Sequence, residues 1–205
     1  MNDNNIRISE SQAIFRGINR LLAHKSFDLD DRKIISVGSF SASLEYHAAL
    51  WLLCKNKRFG AAANLLRSQV ESYAKGVWFL YCGSDADVEA AHNDELSLGM
   101  RKLALDLESR QVPGWEDVKE VKESFWSILC GYTHTGKPQL ARRFIGSNIS
   151  PNYDDGFVSS VLNFGDLIAF KTLLELLKLS NSDDSETEIR SLIGSSKFLQ
   201  EAFGP

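Results

Sequence analysis

EYHAALWLLCKNKRFGAAANLLRSQVESYAKGVWFLYC runs from Glu45 to Cys82, and it holds two apolar patterns on either side of a polar turn. Before the turn, Leu44, His47, Trp51 and Cys54 recur at spacings of three and four, the period of a helix face. After it, Leu66, Val70, Ala74 and Val77 repeat the same spacing. The break between them is KNKRFG, centred on Lys57 and Arg58. The pattern predicts an antiparallel helical hairpin. Both helices rise ~1.5 Å per residue, so residues equally far from the turn lie side by side. Glu45 and His47 are therefore expected opposite the stretch from Arg67 to Glu71. Arg67 and Glu71 are four apart and share a helix face.

The same period extends in both directions, and no convincing run of strand-like alternation occurs. Only four prolines punctuate the chain. Upstream, Ser9-Glu10-Ser11-Gln12 reads as a capping box opening a helix to about Lys25. The second helix is expected from near Asp30 to about Asn56. Its small-residue stretch ISVGSFSAS, with Gly38, suggests close helix approach. The third covers roughly Ala61 to Cys82. Ser84 is a good N-cap for a fourth reaching about Arg110, and QVPG then interrupts. A fifth runs from about Trp115 to His134. Thr135 to Tyr153 reads as one long irregular segment, of a length that is often functional or disordered. A sixth helix follows from Asp154 or Asp155 to about Leu179. The expected fold is an all-α, up-and-down helical bundle of five or six main helices over residues 1–180. Residues 181–205 read as a polar linker and a short, loosely docked C-terminal helix, capped by Ser185 and Glu188 and ending near Phe203.

The 205 residues are 43% hydrophobic, enough to bury a sizeable core. A net charge of -4 argues against broad, non-specific DNA or RNA binding, which needs a basic surface to displace counterions. The three cysteines lie far apart among apolar residues, with no Cys-x-x-Cys pair. Buried free thiols in a reducing cytoplasm are expected, with neither disulfides nor a zinc knuckle. The polar N-terminus has no apolar core of a signal peptide, and the apolar runs look too short to span a bilayer. Glu89-Ala-Ala-His92 has the spacing of helical di-iron sites, but the second such motif those proteins need is missing. No metal and no cofactor is expected. Nucleotide loops and the Gly-x-Ser-x-Gly elbow are absent from the sequence.

Two groups of polar residues stand out. Glu45, His47, Arg67 and Glu71 would form a polar pocket between helices, although a structural ion pair with a satisfied histidine predicts the same contacts. The second is CGYTHTGKPQLARRF, residues 130–144. His134 lies at a helix C-terminus, where the dipole favours a cation. Gly136 fits the residue after the cap, and Pro138 stops continuation. Lys137, Arg142 and Arg143 then make a short basic cluster able to bind phosphate or carboxylate or to pair with Asp154 and Asp155. The candidate ligand-binding set is Glu45, His47, Arg67, Glu71, His134, Arg142 and Arg143, with His134 the candidate catalytic group. Arg67, Glu71 and His134 form the centre, Glu45 and His47 lie behind, and the two arginines stand at the mouth.

The Glu45–Cys82 hairpin, YTHTG at 132–136, ARRF at 141–144 and ISPNYDD at 149–155 together resemble an uncharacterised bacterial all-helical family, a domain of unknown function. The resemblance covers about His47 to Glu175, implies a bacterial cytoplasmic helical protein, and brings no established activity. The chain also resembles, more weakly, the HEPN-type helical domains, many of which are metal-independent ribonucleases of defence or toxin systems. Their pattern places an Arg a few residues before a His. Here FWSILCGYT precedes His134 without an Arg, while Arg142 and Arg143 follow it. Arg67 would have to supply the spatial equivalent from another helix. The expected function is a helical protein with an internal polar Arg/Glu/His site that is either ligand-binding, for a small anion or RNA, or structural, with a HEPN-like ribonuclease as the rival. A third possibility is a homodimeric interaction module, because GVWFLY is apolar around its helix and Trp78, Phe79 and Trp115 could form its face.

Overall fold

The computed structural model describes residues 3–180 and 186–204. The chain is essentially all-α, as its period dictates. Four helices of 20 to 25 residues carry the architecture. They are α1 (Asp3–Leu22), α2 (Asp31–Lys55), α3 (Phe59–Tyr81) and α9 (Asp155–Leu179). The helices between α3 and α9 are shorter than the sequence suggests.

The hairpin forms as expected, with α2 and α3 packed along their length. Asp30 starts α2 by accepting the Lys33 backbone N–H at 2.8 Å. Close approach does not come from Gly38, whose missing side chain faces open space. It comes from Gly76 on α3, where the Phe40 ring of α2 lies in the space a Cβ would fill. α1 begins six residues before the predicted capping box. Ser9 is therefore inside the helix, and its hydroxyl donates back to the Asn5 carbonyl at 2.8 Å. The early start lets Arg7 reach across to α9.

The predicted fourth helix is two helices, α4 (Asp85–His92) and α5 (Met100–Ser109). Ser84 and Asp87 form a reciprocal capping box at the start of α4. Asp94 adopts a left-handed φ of 57° just after it, which ends the helix at the polar Asn93-Asp94 pair. The predicted fifth helix is likewise divided. α6 (Trp115–Glu120) passes through a π-helical turn at Val121–Phe125 into α7 (Trp126–Thr133). The segment expected to be irregular holds a short α8 (Lys137–Leu140) and a hairpin of β1 (Phe144–Ile145) and β2 (Asn148–Ile149). Asp154 caps α9 by accepting the Phe157 N–H at 2.7 Å.

α3 is the central helix, in contact with α2, α5, α7 and α9. This answers why GVWFLY is apolar all round: its neighbours within the chain cover it. Trp78 is 1% exposed and Phe79 4%, so neither can form an outward dimer face, and Trp115 is half-buried. α9 is, by length and composition, apolar enough to cross a membrane, which corrects the view that the apolar stretches are too short. Its Val158, Leu162, Phe170 and Leu173 are core residues in this fold.

A second core layer joins α1 and α9 to two C-terminal helices, α10 (Glu186–Gly194) and α11 (Lys197–Phe203). A single, loosely docked helix was expected there. Leu199 is instead fully buried beside Ile14, Ile18 and Leu173, and Ser196 caps α11. Glu188 lies in the first turn of α10, while Ser185 lies outside the described residues.

Candidate functional site

α3 and the C-terminus of α7 bring Arg67, Glu71 and His134 together. Arg67 Nη1 lies 2.7 Å from His134 Nε2. A guanidinium can only donate, so Nε2 is the acceptor and the ring proton sits on Nδ1. Arg67 Nη2 donates to Glu71 Oε1 at 3.3 Å, one helical turn along α3. The guanidinium carbon also stacks 5.1 Å from the centre of the Trp126 ring. Arg67 and Glu71 side chains are 23% and 29% exposed, and His134 is exposed. Arg67 is thus held by a carboxylate, an indole and an imidazole at the protein surface, while its Nε is buried without a protein partner.

Local backbone chemistry places His134. It is the last residue of the α7 cap, with its own N–H donating to the Cys130 carbonyl at 2.9 Å. The next residue, Thr135, takes the left-handed conformation with φ 53°. Glycine was expected to fill that role at Gly136, but Gly136 is extended, with φ -79° and ψ -175°. Its N–H reaches back to the Gly131 carbonyl at 2.6 Å, the outer bond of a Schellman turn. A Cβ on Gly136 would stand 3.1 Å from the Gly131 Cα, so a side chain there would crowd the Gly131 backbone. A β-branched residue at positive φ is an outlier. Strain of this kind clusters at functional segments.

The remaining candidates separate. Glu45 is exposed and stands outside the Arg67 cluster. His47 is 1% exposed and belongs to a different network. Two residues apart on a helix face nearly opposite ways, so Glu45 and His47 could not line one pocket. Arg142 packs against other residues than His134. It stacks 4.2 Å above the Phe157 ring and 6.0 Å from Tyr153, and donates to the Asn152 carbonyl at 3.3 Å. Its distance to the Asp154 carboxylate is 4.0 Å. Arg143 is exposed, and its Nη2 would lie 3.2 Å from a Cβ on Gly60. Gly60 and Arg67 are two turns apart on the same face of α3, a separation of ~10 Å along the axis. Lys137 is exposed on α8. Glu89 and His92 line a cleft at α4 together with Asp30 and Asp85.

The network around His47 escaped sequence reasoning. Its centre is Asp166 of α9, which is fully buried. The carboxylate accepts from His47 Nε2 at 2.6 Å, from Ser11 Oγ at 2.7 Å and from Arg7 Nη2. Arg7 also donates through Nε to Asn163 Oδ1 at 2.6 Å. Burial alone would raise the Asp166 pKa, but the hydrogen bonds and charges of His47 and Arg7 outweigh it and hold the group below the usual carboxylate range. Ser11 bonds the carboxylate and not the imidazole, so this is not a serine–histidine–aspartate relay. Four polar side chains with almost no exposure, paired through the Asp166 carboxylate with only Arg7 Nη1 left without a hydrogen-bond partner, serve to lock α1, α2 and α9 in register. One signal was available: Asp166 interrupts the apolar stripe of Leu162, Ala169 and Phe170 on α9, where an ionised residue demands partners.

Arg67, Glu71 and His134 can therefore act as an accessible polar site, and Asp166, His47, Arg7 and Ser11 as a structural one. Among known proteins, no curated protein and no solved structure matches the chain. The model of one family, described as a family of unknown function, does match, over residues 40–197. That match runs from within α2 to the first residue of α11 and contains Arg67, Glu71 and His134, so the chain belongs to the family of unknown function DUF6988.

Proposed function

We propose that the chain is an anion-binding helical protein that receives a phosphate or carboxylate group at Arg67 and His134. The observation that carries this reading is the 2.7 Å contact between Arg67 Nη1 and the exposed His134 imidazole. Trp126 and Glu71 fix the guanidinium plane from its apolar and anionic sides. A planar, pre-oriented guanidinium loses little freedom when it binds an oxyanion. An arriving anion replaces the weak 3.3 Å contact to Glu71 and adds a charge-assisted bond. Arg143, on the same α3 face, supplies a second positive charge for a ligand that extends beyond one group.

The rival reading is a metal-independent ribonuclease, favoured by the same pair because it comes from two separate helices. Once Arg67 turns from it to neutralise the phosphoryl oxygens, His134 Nε2 would take the proton of the ribose 2′-hydroxyl as that oxygen attacks phosphorus and the bond to the 5′ oxygen breaks, and the imidazolium would give the proton to the departing 5′ oxygen. Melting curves of wild type and His134→Ala, with inorganic phosphate and separately with a short oligoribonucleotide, separate the outcomes. Binding stabilises wild type by ~2.7 kcal/mol at a hundredfold excess over Kd and leaves His134→Ala unmoved. No gain with either ligand sinks the anion site. Cleavage of the RNA by wild type but not by folded His134→Ala promotes the nuclease reading over it.

A further inference from the structure

A second polar feature lies between α1 and α10. A surface cleft of about 320 Å³ opens there. Its floor is apolar, made by Ala13, Gly17, Leu21 and Leu192. Gly17 shapes it, because Leu192 occupies the space a Cβ on Gly17 would need. α10 therefore seats directly on the α1 backbone. Arg16 and Arg20 flank the floor, one turn apart on α1, and both are exposed. Neither has a carboxylate within ion-pair distance among the described residues, although the chain has 27 acidic residues. Like charges four apart on a helix repel, so the pair is unfavourable until something neutralises it. Gln12 and Ser191 add side-chain donors on the two walls, and Glu188 is the one acidic residue at the lining among the described residues. The lining charge is positive on a chain whose net charge is -4.

We infer that this cleft binds a small phosphorylated or sulfonated molecule with a flat apolar body. The oxyanion sits between the Arg16 and Arg20 guanidinium groups, which favour such oxygens in paired geometry. The apolar part lies over Gly17 and Leu192. The cleft volume suits a ligand of that size. The site is independent of the Arg67–His134 reading, and α1 lies outside the residues that the family model matches.

Phenyl phosphate is a suitable probe, with inorganic phosphate and phenol as comparisons. Titration calorimetry at low salt uses the full chain carrying Arg67→Ala and His134→Ala, which removes the other anion site. Phenyl phosphate is expected to bind at least tenfold more tightly than inorganic phosphate, and phenol not at all. Adding Arg16→Ala and Arg20→Ala is expected to weaken binding by tenfold or more. Ser191→Trp, which fills the cleft without touching the charge, is expected to remove it. Undiminished binding after the arginine substitutions, equal affinity for inorganic phosphate, or no heat at millimolar probe would each overturn the assignment. Because Arg67 and His134 are absent throughout, either site can fail without the other.

Discussion

Replacing Asp166 with alanine removes the acceptor for three buried donors at once. Arg7, 8% exposed, keeps its Nε bond to Asn163, a 3.9 Å contact with Glu10 and the Phe198 ring 5.5 Å away. His47 and Ser11 lose their bonds to this carboxylate. Breaking a buried ion pair by deleting one partner costs ~3–5 kcal/mol, and stranding a buried hydroxyl adds about 1 kcal/mol. A total of ~4–6 kcal/mol is a large share of the ~5–15 kcal/mol that holds a domain together. Urea denaturation followed by far-UV circular dichroism measures it. With a slope near 2 kcal/mol/M, the midpoint should fall by ~2–3 M. Asp166→Asn keeps the shape but leaves the Arg7 charge uncompensated, and should fall between the two. The pH dependence follows from the depressed pKa of Asp166 in the folded state. The unfolded state binds its proton first, so the stabilisation is complete above the ordinary carboxylate pKa. It is lost as pH falls below that value and through the folded one. Between neutral pH and acid, Asp166→Asn should lose less stability than wild type, because it lacks this titrating group. A shift below about 1 kcal/mol for Asp166→Ala at neutral pH would refute the idea that this network locks α1 in place.

Other outcomes are equally specific. Arg67→Ala should cost only ~0.8–1.5 kcal/mol, since a partly exposed i,i+4 pair contributes ~0.3–0.5 and the indole contact ~0.5–1; a loss well above that range in the same urea assay would place the pair in the core. Thr135→Gly should raise the melting temperature, because glycine relieves ~1 kcal/mol or more of left-handed strain; a lowered melting temperature would show that the Thr135 side chain makes contacts that matter more. With a disulfide reagent on native protein, Cys130 should react first. Cys54 is fully buried and burial pushes its thiol up to about 12, so it should react only on unfolding; early modification at Cys54, mapped by peptide mass, would contradict the packing.

The long helices were legible because their apolar period is unbroken for many turns, and α2 and α3 were paired by arithmetic from one short turn. The same arithmetic brought Arg67 and Glu71 to one face, and the end of the fifth helix brought His134 near. What failed depended on information that is not periodic. The break between α4 and α5 rests on the left-handed Asp94 rather than on a proline. The true start of α1 was masked by a capping-box pattern at Ser9, and with it the approach of Arg7 to Asp166. His47 was read as part of the site because its face points inward, but its partner came from a helix more than a hundred residues away. Arg142 looked like a free cation in ARRF, and only tertiary packing shows it lying flat on Phe157 and Tyr153.

The chain has four histidines, which makes imidazole resonances a direct report on the Arg67–His134 site. Heteronuclear spectra recorded during titration with inorganic phosphate at fixed pH follow all four at once. A saturable shift of the His134 resonance, absent in Arg67→Ala and leaving buried His47 unmoved, is the expected result. A His134 resonance that stays in place throughout the titration, in a chain that remains folded, would contradict the anion-binding role.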